Sequence, residues 1–364
     1  MPLGDAVPLG DAVPLGDSVL TADSVRGNST YRHSNTAVLA VSAVEAPRVV
    51  TSEQFDEQLE PTLRRLGLRA GLLQGLAGVH ERRWFDEGTT FIDAAATAGA
   101  KALAEAGIEP GRVGLMINSS VSRSYLEPSS AVAIHHQLGL PSSCMNFDLA
   151  NACLGFVNAM HVAATMIDAG HVEYALVVDG EDARYTQETT IERLVQESTT
   201  ITDLFREFAT LTLGSGAAAM VLGPADRHPG AHLLLGGIAR SATEHHELCV
   251  GNLDSMSTDT KGLMDAGLDL AEAAWAEAAH LHGWHDIDCY VIHQVSSVHT
   301  RSMCARLGID PERVPLTFPV LGNVGPASVP ITLARQAPTL APGDRVLCMG
   351  IGSGLNTSFT ELRW

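Results

Sequence analysis

The sequence predicts an α/β protein made of two similar halves, each a sheet covered by helices. Three observations carry this. Short apolar runs alternate with longer segments whose apolar residues recur at i, i+3 and i+4. The alternation runs through once before the loop around Pro224 and Pro229 and once after it. Hydrophobic residues make up 45% of the 364 and charged residues 18%, a composition with ample core that rules out a mainly disordered chain. At roughly 100–200 residues per domain, the length fits two domains or one large fused unit.

The first 34 residues stand outside the pattern. They carry PLGDAV, PLGDAV and PLGDSV, starting at Pro2, Pro8 and Pro14. Pro and Gly in every unit prevent a helix or a central strand from propagating, and three units are too short for a solenoid, so 1–34 reads as a flexible tail. The N-terminal half, 35–228, then gives strands at 36–44, 112–119, 145–150, 174–179 and 217–222, and helices at 89–107, 129–138 and 151–169. Its polar, Thr- and Glu-rich stretch 181–212 reads as an insertion able to act as a lid. The C-terminal half, 229–364, gives strands at 232–239, 289–294, 345–351 and 356–363, and helices at 263–283, 297–307 and 327–336.

Charge and motif content exclude several classes. With 23 Lys and Arg against 42 Asp and Glu the formal charge is −19, which repels a phosphate backbone, so no nucleic-acid partner is expected. No run approaches the roughly 18 apolar residues of a membrane helix. The first 20 residues contain no Lys or Arg and no long apolar stretch, so no secretory signal is expected. Six scattered cysteines without a CxxC pair fit the reduced thiols of a cytoplasmic protein. His245, His246 and Cys249 are spaced for metal ligation, but no second ligand pair accompanies them, and no metal is expected. Gly71, Gly75 and Gly78 do not form GxGxxG after a strand, and neither a P-loop nor a GxSxG elbow occurs, which disfavours a nucleotide cofactor and a serine hydrolase.

Four segments could carry chemistry. Asn146 to Phe156 (NFDLANACLGF) reads as a strand that turns into a helix at Cys153. A cysteine there has its thiolate stabilised by free backbone N–H groups and the positive helix end, and Gly155 leaves room for a substrate beside the sulfur. A buried structural cysteine is the competing reading. The strand Tyr290 to Val295 delivers His293 at its C-terminal end, Leu321 to Ser328 is a Gly- and Pro-punctuated turn opening a helix, and Cys348 to Gly354 runs from a strand into a glycine-rich loop. Each is weak alone, but all lie where strands end, which is where α/β sheets build sites.

Together these segments resemble thiolase-superfamily condensing enzymes in order and spacing, most of all the β-ketoacyl synthase III branch, over about residues 35–364. Gly78-Val79-His80-Glu81-Arg82-Arg83 is similar to that branch's Gly-Ile-x-x-Arg-Arg segment. Within the branch, Leu126-Glu127-Pro128-Ser129 and Asn151 to Phe156 resemble the acyl-CoA:acyl-CoA condensing enzymes that start bacterial long-chain olefin biosynthesis, with Glu127 placed 26 residues before Cys153. Two departures stand out: His293-Gln294-Val295-Ser296 replaces His-Gln-Ala-Asn, and Leu76-Ala77 replaces the Arg-Thr that supplies the usual adenine-side contact.

The resemblance implies a layered α-β-α-β-α thiolase fold and a head-to-head, non-decarboxylative Claisen condensation of two fatty acyl-CoAs to a 2-alkyl-3-ketoalkanoic acid. Cys153 would be the nucleophile, and His293 and Asn323 would stabilise the thioester oxyanion or enolate. Ser353 in the Gly350–Gly354 loop would lend a backbone N–H to an oxyanion hole. An unactivated acyl-CoA must lose an α-proton, so a base is needed. Glu127 is that base by resemblance, reaching across a homodimer into an apolar cavity that should raise its pKa. On residues alone it reads as an ordinary acidic residue before the 129–138 helix. No cofactor is implied, CoA being part of the substrate, and an unstable β-keto acid invites a transient partner that processes it. The rivals are a decarboxylative synthase III using malonyl-acyl carrier protein, a Cys-His thioesterase, and an inactive acyl-binding subunit.

Overall fold

Strands β7 (Tyr174–Glu181) and β13 (Arg345–Gly352) occupy equivalent central places in two half-sheets. A computed structural model describes residues 30–252 and 254–364; the hexapeptide repeats lie outside the described residues. In the first half, β1 (Thr30–Arg32), β2 (Thr36–Glu45) and β3 (Arg48–Thr51) precede α1 (Ser52–Arg65), β4 (Glu81–Trp84) and α2 (Phe91–Ala106). Next come β5 (Val113–Asn118), α3 (Ser130–Gln137), β6 (Met145–Asp148), α4 (Gly155–Asp168), β7, α5 (Arg184–Leu194), α6 (Ile201–Leu211) and β8 (Gly216–Pro224). The second half contains β9 (His232–Ser241), β10 (Cys249–Gly251), β11 (Met256–Thr258), α7 (Thr260–His282), β12 (Cys289–Ile292) and α8 (Ser297–Leu307). It closes with α9 (Phe318–Leu321), α10 (Ser328–Gln336), β13 and β14 (Asn356–Arg363).

The strand order is β12-β13-β14-β9-β2-β8-β7-β5-β6, with β2 meeting β9 at Ala37 with Leu233 and Val38 with His232. β7 has parallel β5 on one side and antiparallel β8 on the other, and β13 has parallel β12 and antiparallel β14. Strand residues alternate between two buried faces. Leu176 and Val178 pack outward with Ala95, Ala98 and Ile134 of α2 and α3. Ala175 and Val177 pack inward with Phe156 and Met160 of α4 and Val329 and Leu333 of α10. In the second half, Val346 and Cys348 share that inner layer, whereas Leu347 and Met349 meet α7 and α8 at Ala271, Trp275 and Met303. Five layers result, α-β-α-β-α, with α4 and α10 buried between the sheets. Two-sided burial explains why these strands are continuous apolar runs, each large side chain contributing about 1.5–3 kcal/mol.

Two expectations need correction. Residues 30–34 are not flexible tail, since β1 pairs with β9, and Tyr31 bonds through its hydroxyl to Ser358 and Thr360 at 3.0 and 2.7 Å. Asp168 then accepts from the Ser34 and Asn35 amides and the Thr36 hydroxyl. The 181–212 stretch is also not wholly an insertion: Glu181 is the last residue of β7. Beyond it α5 and α6 pack Ile191, Leu194, Leu204, Phe208 and Leu211 against Phe55, Leu59 and Leu63 of α1. Among the described residues no helix is long and apolar enough to cross a membrane.

Candidate active site

After β6 the chain turns at Leu149 to Cys153 and enters α4. Ala152 sits at φ 44°, a left-handed conformation costing a non-glycine residue roughly 1–2 kcal/mol. Asn151 fixes the turn, donating to Asn158 at 2.7 Å and accepting from Asn356 of β14 at 3.1 Å. The glycine-rich end of β13 lies against it: a Cβ on Gly352 would come within 2.9 Å of the Asn151 carbonyl and 3.2 Å of the Leu154 nitrogen. Ser353 is the next residue, in the turn joining β13 to β14, so the fold brings it beside the Cys153 turn. Gly155 has a different reason from the expected one. A Cβ there would meet the Ser119 carbonyl at 2.8 Å and the Leu149 carbonyl at 3.2 Å, so its smallness serves backbone packing rather than substrate room.

The electrostatics of Cys153 also reverse an expectation. Burial, then the carboxylate of Glu181, with Asp179 contributing less, pushes its thiol up to about 12. Those effects outweigh the helix end, so the resting residue is a thiol that must lose its proton during attack. His293 is shifted the opposite way, down to about 3, by burial and then by His299. It is 2% exposed, stays neutral, and its Nδ1 has no hydrogen-bond partner among the described residues. Its backbone N–H donates to the Met349 carbonyl at 2.8 Å, which ties the end of β12 to β13.

Asn323 is held by its own backbone: its N–H donates to Thr212 and its carbonyl accepts from Gly214, both at 2.9 Å. Its side-chain oxygen accepts from the Gly325 amide at 3.0 Å, leaving Nδ2 as a donor with no bond among the described residues. Gln294 links the two elements, a role the His-Gln pair did not disclose. Its amide oxygen accepts from the Thr317 and Phe318 amides at 2.8 and 3.3 Å, and its nitrogen donates to Ile292 and Pro315. The residue after the histidine therefore anchors the segment leading to Asn323.

Glu127 stands elsewhere in character. It lies on the exposed loop after β5, bounded by a cis peptide to Pro128, and its own chain does not enclose it. The expected apolar surroundings are absent within one chain. Tyr125 (39%), Leu126 (101%) and Val121 (49%) are exposed beside it, as are Val132 and Met145. Among the described residues β6, which carries Met145, pairs only with β5 and leaves its other edge free.

Sequence reasoning missed two buried carboxylates at the end of β7. Asp179 accepts from the Ser119 hydroxyl at 2.5 Å, and burial and the neighbouring Glu181 raise its carboxyl well above the usual range. Glu181 is raised to about 7, burial outweighing its hydrogen bonds. The signal was Asp-Gly-Glu interrupting an apolar strand, where unpaired acids are costly. Among the described residues no group of three or more potential metal ligands occurs. An open concavity of about 250 Å³ lies between β3 and α1, lined by Arg48, Gln54 and Trp84, and includes none of the residues above.

A cysteine on a strained strand-to-helix turn, a buried neutral histidine, an asparagine on a glycine turn and a glycine loop, on a doubled five-layer fold, define a condensing enzyme of the thiolase superfamily. The family model for 3-oxoacyl-acyl-carrier-protein synthase III matches residues 147–235, and the model for its C-terminal part matches 278–364. The acyl-CoA:acyl-CoA alkyltransferase of Xanthomonas campestris is 45% identical over 334 residues, covering 91% of this chain and 99% of that protein. The enzyme of that name from Shewanella oneidensis is 32% identical, covering 92% and 100%. The crystal structure of a cysteine-to-serine variant of Xanthomonas campestris OleA, with bound lauric acid and lauroyl-CoA, superposes with TM-score 0.90 at 45% identity, covering 91% of this chain and all of that one. The chain belongs to the acyl-CoA:acyl-CoA alkyltransferase family.

Proposed function

We propose that this enzyme joins two fatty acyl-CoAs head to head without decarboxylation. The observation that carries the reading is the match, over 91% of this chain and all of the other, to a protein solved with lauroyl-CoA bound, on a chain that keeps Cys153, a buried His293 and Asn323. The Cys153 sulfur attacks the first thioester carbonyl, an S–acyl bond forms, the bond to CoA sulfur breaks, and CoA leaves as a thiol with the cysteine proton. Backbone N–H groups of Cys153 and Ser353 hold the oxyanion. His293 and Asn323 donate to the thioester oxygen of the second substrate while Glu127 removes its α-proton. The carbanion attacks the acyl-enzyme carbonyl, the new C–C bond forms as the C–S bond to Cys153 breaks, the proton taken by Glu127 returns through solvent to the Cys153 sulfur, and hydrolysis of the remaining thioester gives the 2-alkyl-3-ketoalkanoic acid and CoA. No step draws on a further cofactor.

Glu127 acts in a homodimer, entering the partner's site. What supports this is its exposure, the apolar residues around it, and the unpaired edge of β6 beside them, a surface a second copy can cover. We place the enzyme in the cytoplasm, passing its unstable product to a transiently bound partner. The test uses purified protein, one long-chain saturated acyl-CoA and no malonyl donor, with free CoA and product mass as readouts and Glu127→Ala in parallel. A product of two joined chains, lost in the variant, supports the reading. Fatty acid alone points to a thioesterase, and dependence on malonyl-acyl carrier protein points to the synthase III reaction that the family models favour.

A further inference from the structure

We propose that Glu181 is the positioning residue that presents Glu127 for condensation, clamping the loop that carries it to the end of β7 and to the Asn323 turn. The proposal rests on Glu127 being the base and adds what holds it. The Glu181 carboxylate accepts from the Val121 amide at 2.5 Å and from the Ser122 amide and hydroxyl at 3.0 and 2.6 Å. All three donors belong to the Glu127 loop. Its side chain also packs on Gly325, where a Cβ would lie 3.5 Å from Cδ. The same stretch is stitched to β7 by Ser119 to Asp179 and by the Gly180 amide to Ser120.

Asp148 anchors the other end of the loop, accepting from the Ser130 and Ala131 amides at 2.9 Å each. Arg123 braces the interior, donating to the Ser120 and Ser122 carbonyls and lying 3.7 Å from Asp148. Residues 124–128 make no hydrogen bond among the described residues, so where Glu127 stands depends on these two anchors. Of the two, Glu181 alone also touches the Asn323 turn. Keeping a carboxylate buried there is expensive, and burial holds it near 7 against three donors. Asp179, Arg123 and Cys153 are the other charged or titratable groups facing it.

The experiment compares Glu181→Gln and Ser122→Ala with the parent, measuring acylation of Cys153 by intact mass and the ratio of condensed product to free fatty acid. Glu181→Gln should acylate at least as fast as the parent, since it also removes a charge that holds the Cys153 thiol up, while the ratio falls about tenfold or more, since small misplacement of a reacting group is costly. Ser122→Ala should lower the ratio about threefold, with acylation kept. Acylation and condensation falling together would mean a structural role and overturn the proposal, as would a parental ratio in both variants. Should Glu181→Gln fail to fold, an unchanged ratio in Ser122→Ala overturns it alone. Glu127→Ala run alongside separates the two claims. Loss of condensation there with a parental ratio in Glu181→Gln removes only the positioning role, and retained condensation removes the base and with it anything to position.

Discussion

The floor of the site and the loop above it are built in opposite ways. His293 and Asn323 are fixed by backbone hydrogen bonds, Cys153 lies on the turn that Asn151 pins, and His293 is 2% exposed; Glu127 rides a segment whose tip makes no hydrogen bond among the described residues and whose Leu126 is fully exposed. On the proposed mechanism, acyl transfer to Cys153 needs only the floor, carbanion formation needs the loop as well, and a second copy of the chain would complete the site the loop leaves open. Burial holds His293 and Cys153 neutral, whereas the loop is tied down through the carboxylates of Glu181 and Asp148. The two half-reactions should therefore separate under mutation.

The sharpest break comes from the floor. Cys153→Ala removes the sulfur on which both half-reactions depend, so CoA release and condensed product should fall together, on the order of 10⁴-fold or more. A variant that still releases CoA at a parental rate would place the nucleophile elsewhere. Next is Gln294→Leu, which keeps the volume but strands the Thr317 and Phe318 amides in a buried setting. At about 1–3 kcal/mol for each unsatisfied group, stability should fall by about 2–4 kcal/mol in denaturant unfolding, and both half-reactions should slow. An unchanged midpoint would deny Gln294 its structural part.

The loop should respond differently. Leu126→Ser touches nothing in its own chain, so the chain's unfolding free energy should change by less than about 0.5 kcal/mol. If the exposed face is the dimer surface, sedimentation should show self-association weakened about tenfold, the value of roughly one buried leucine. A parental dissociation constant would move the interface away from this loop.

How much of this was legible in the sequence follows the same division. The strands expected at 174–179 and 345–351 declared themselves because burial on both faces demands unbroken apolar runs, and the structure extends them to 181 and 352. The segments carrying Cys153, His293 and Asn323 could be singled out because glycine, proline and strand ends punctuate them, whereas the roles given to these residues rest on the resemblance. Helix α1 escaped notice: only Phe55, Leu59 and Leu63 mark its face, and Pro61 sits inside it where a breaker is expected. The protonation of Cys153 was misread because the helix end is local in sequence, whereas the opposing Glu181 and Asp179 arrive from a strand about 26 residues further on. Glu127 was legible by resemblance alone, since an exposed glutamate before a helix looks like any other.

pH gives the smallest and most selective separation. Between pH 5 and 9 the floor should not titrate, because burial has moved His293 down to about 3 and Cys153 up to about 12. Glu181 sits in that window, near 7. Above 7 it is ionised and accepts all three loop bonds; below 7 it gains a proton and loses acceptor capacity toward the Val121 and Ser122 amides. The ratio of condensed product to free fatty acid should therefore rise about threefold as pH increases through 7, while Cys153 acylation stays level, and Glu181→Gln should abolish the step. Were acylation to show the same step, the titrating group would belong to the floor, and the division between the two regions would fail at the point where Glu181 meets Cys153.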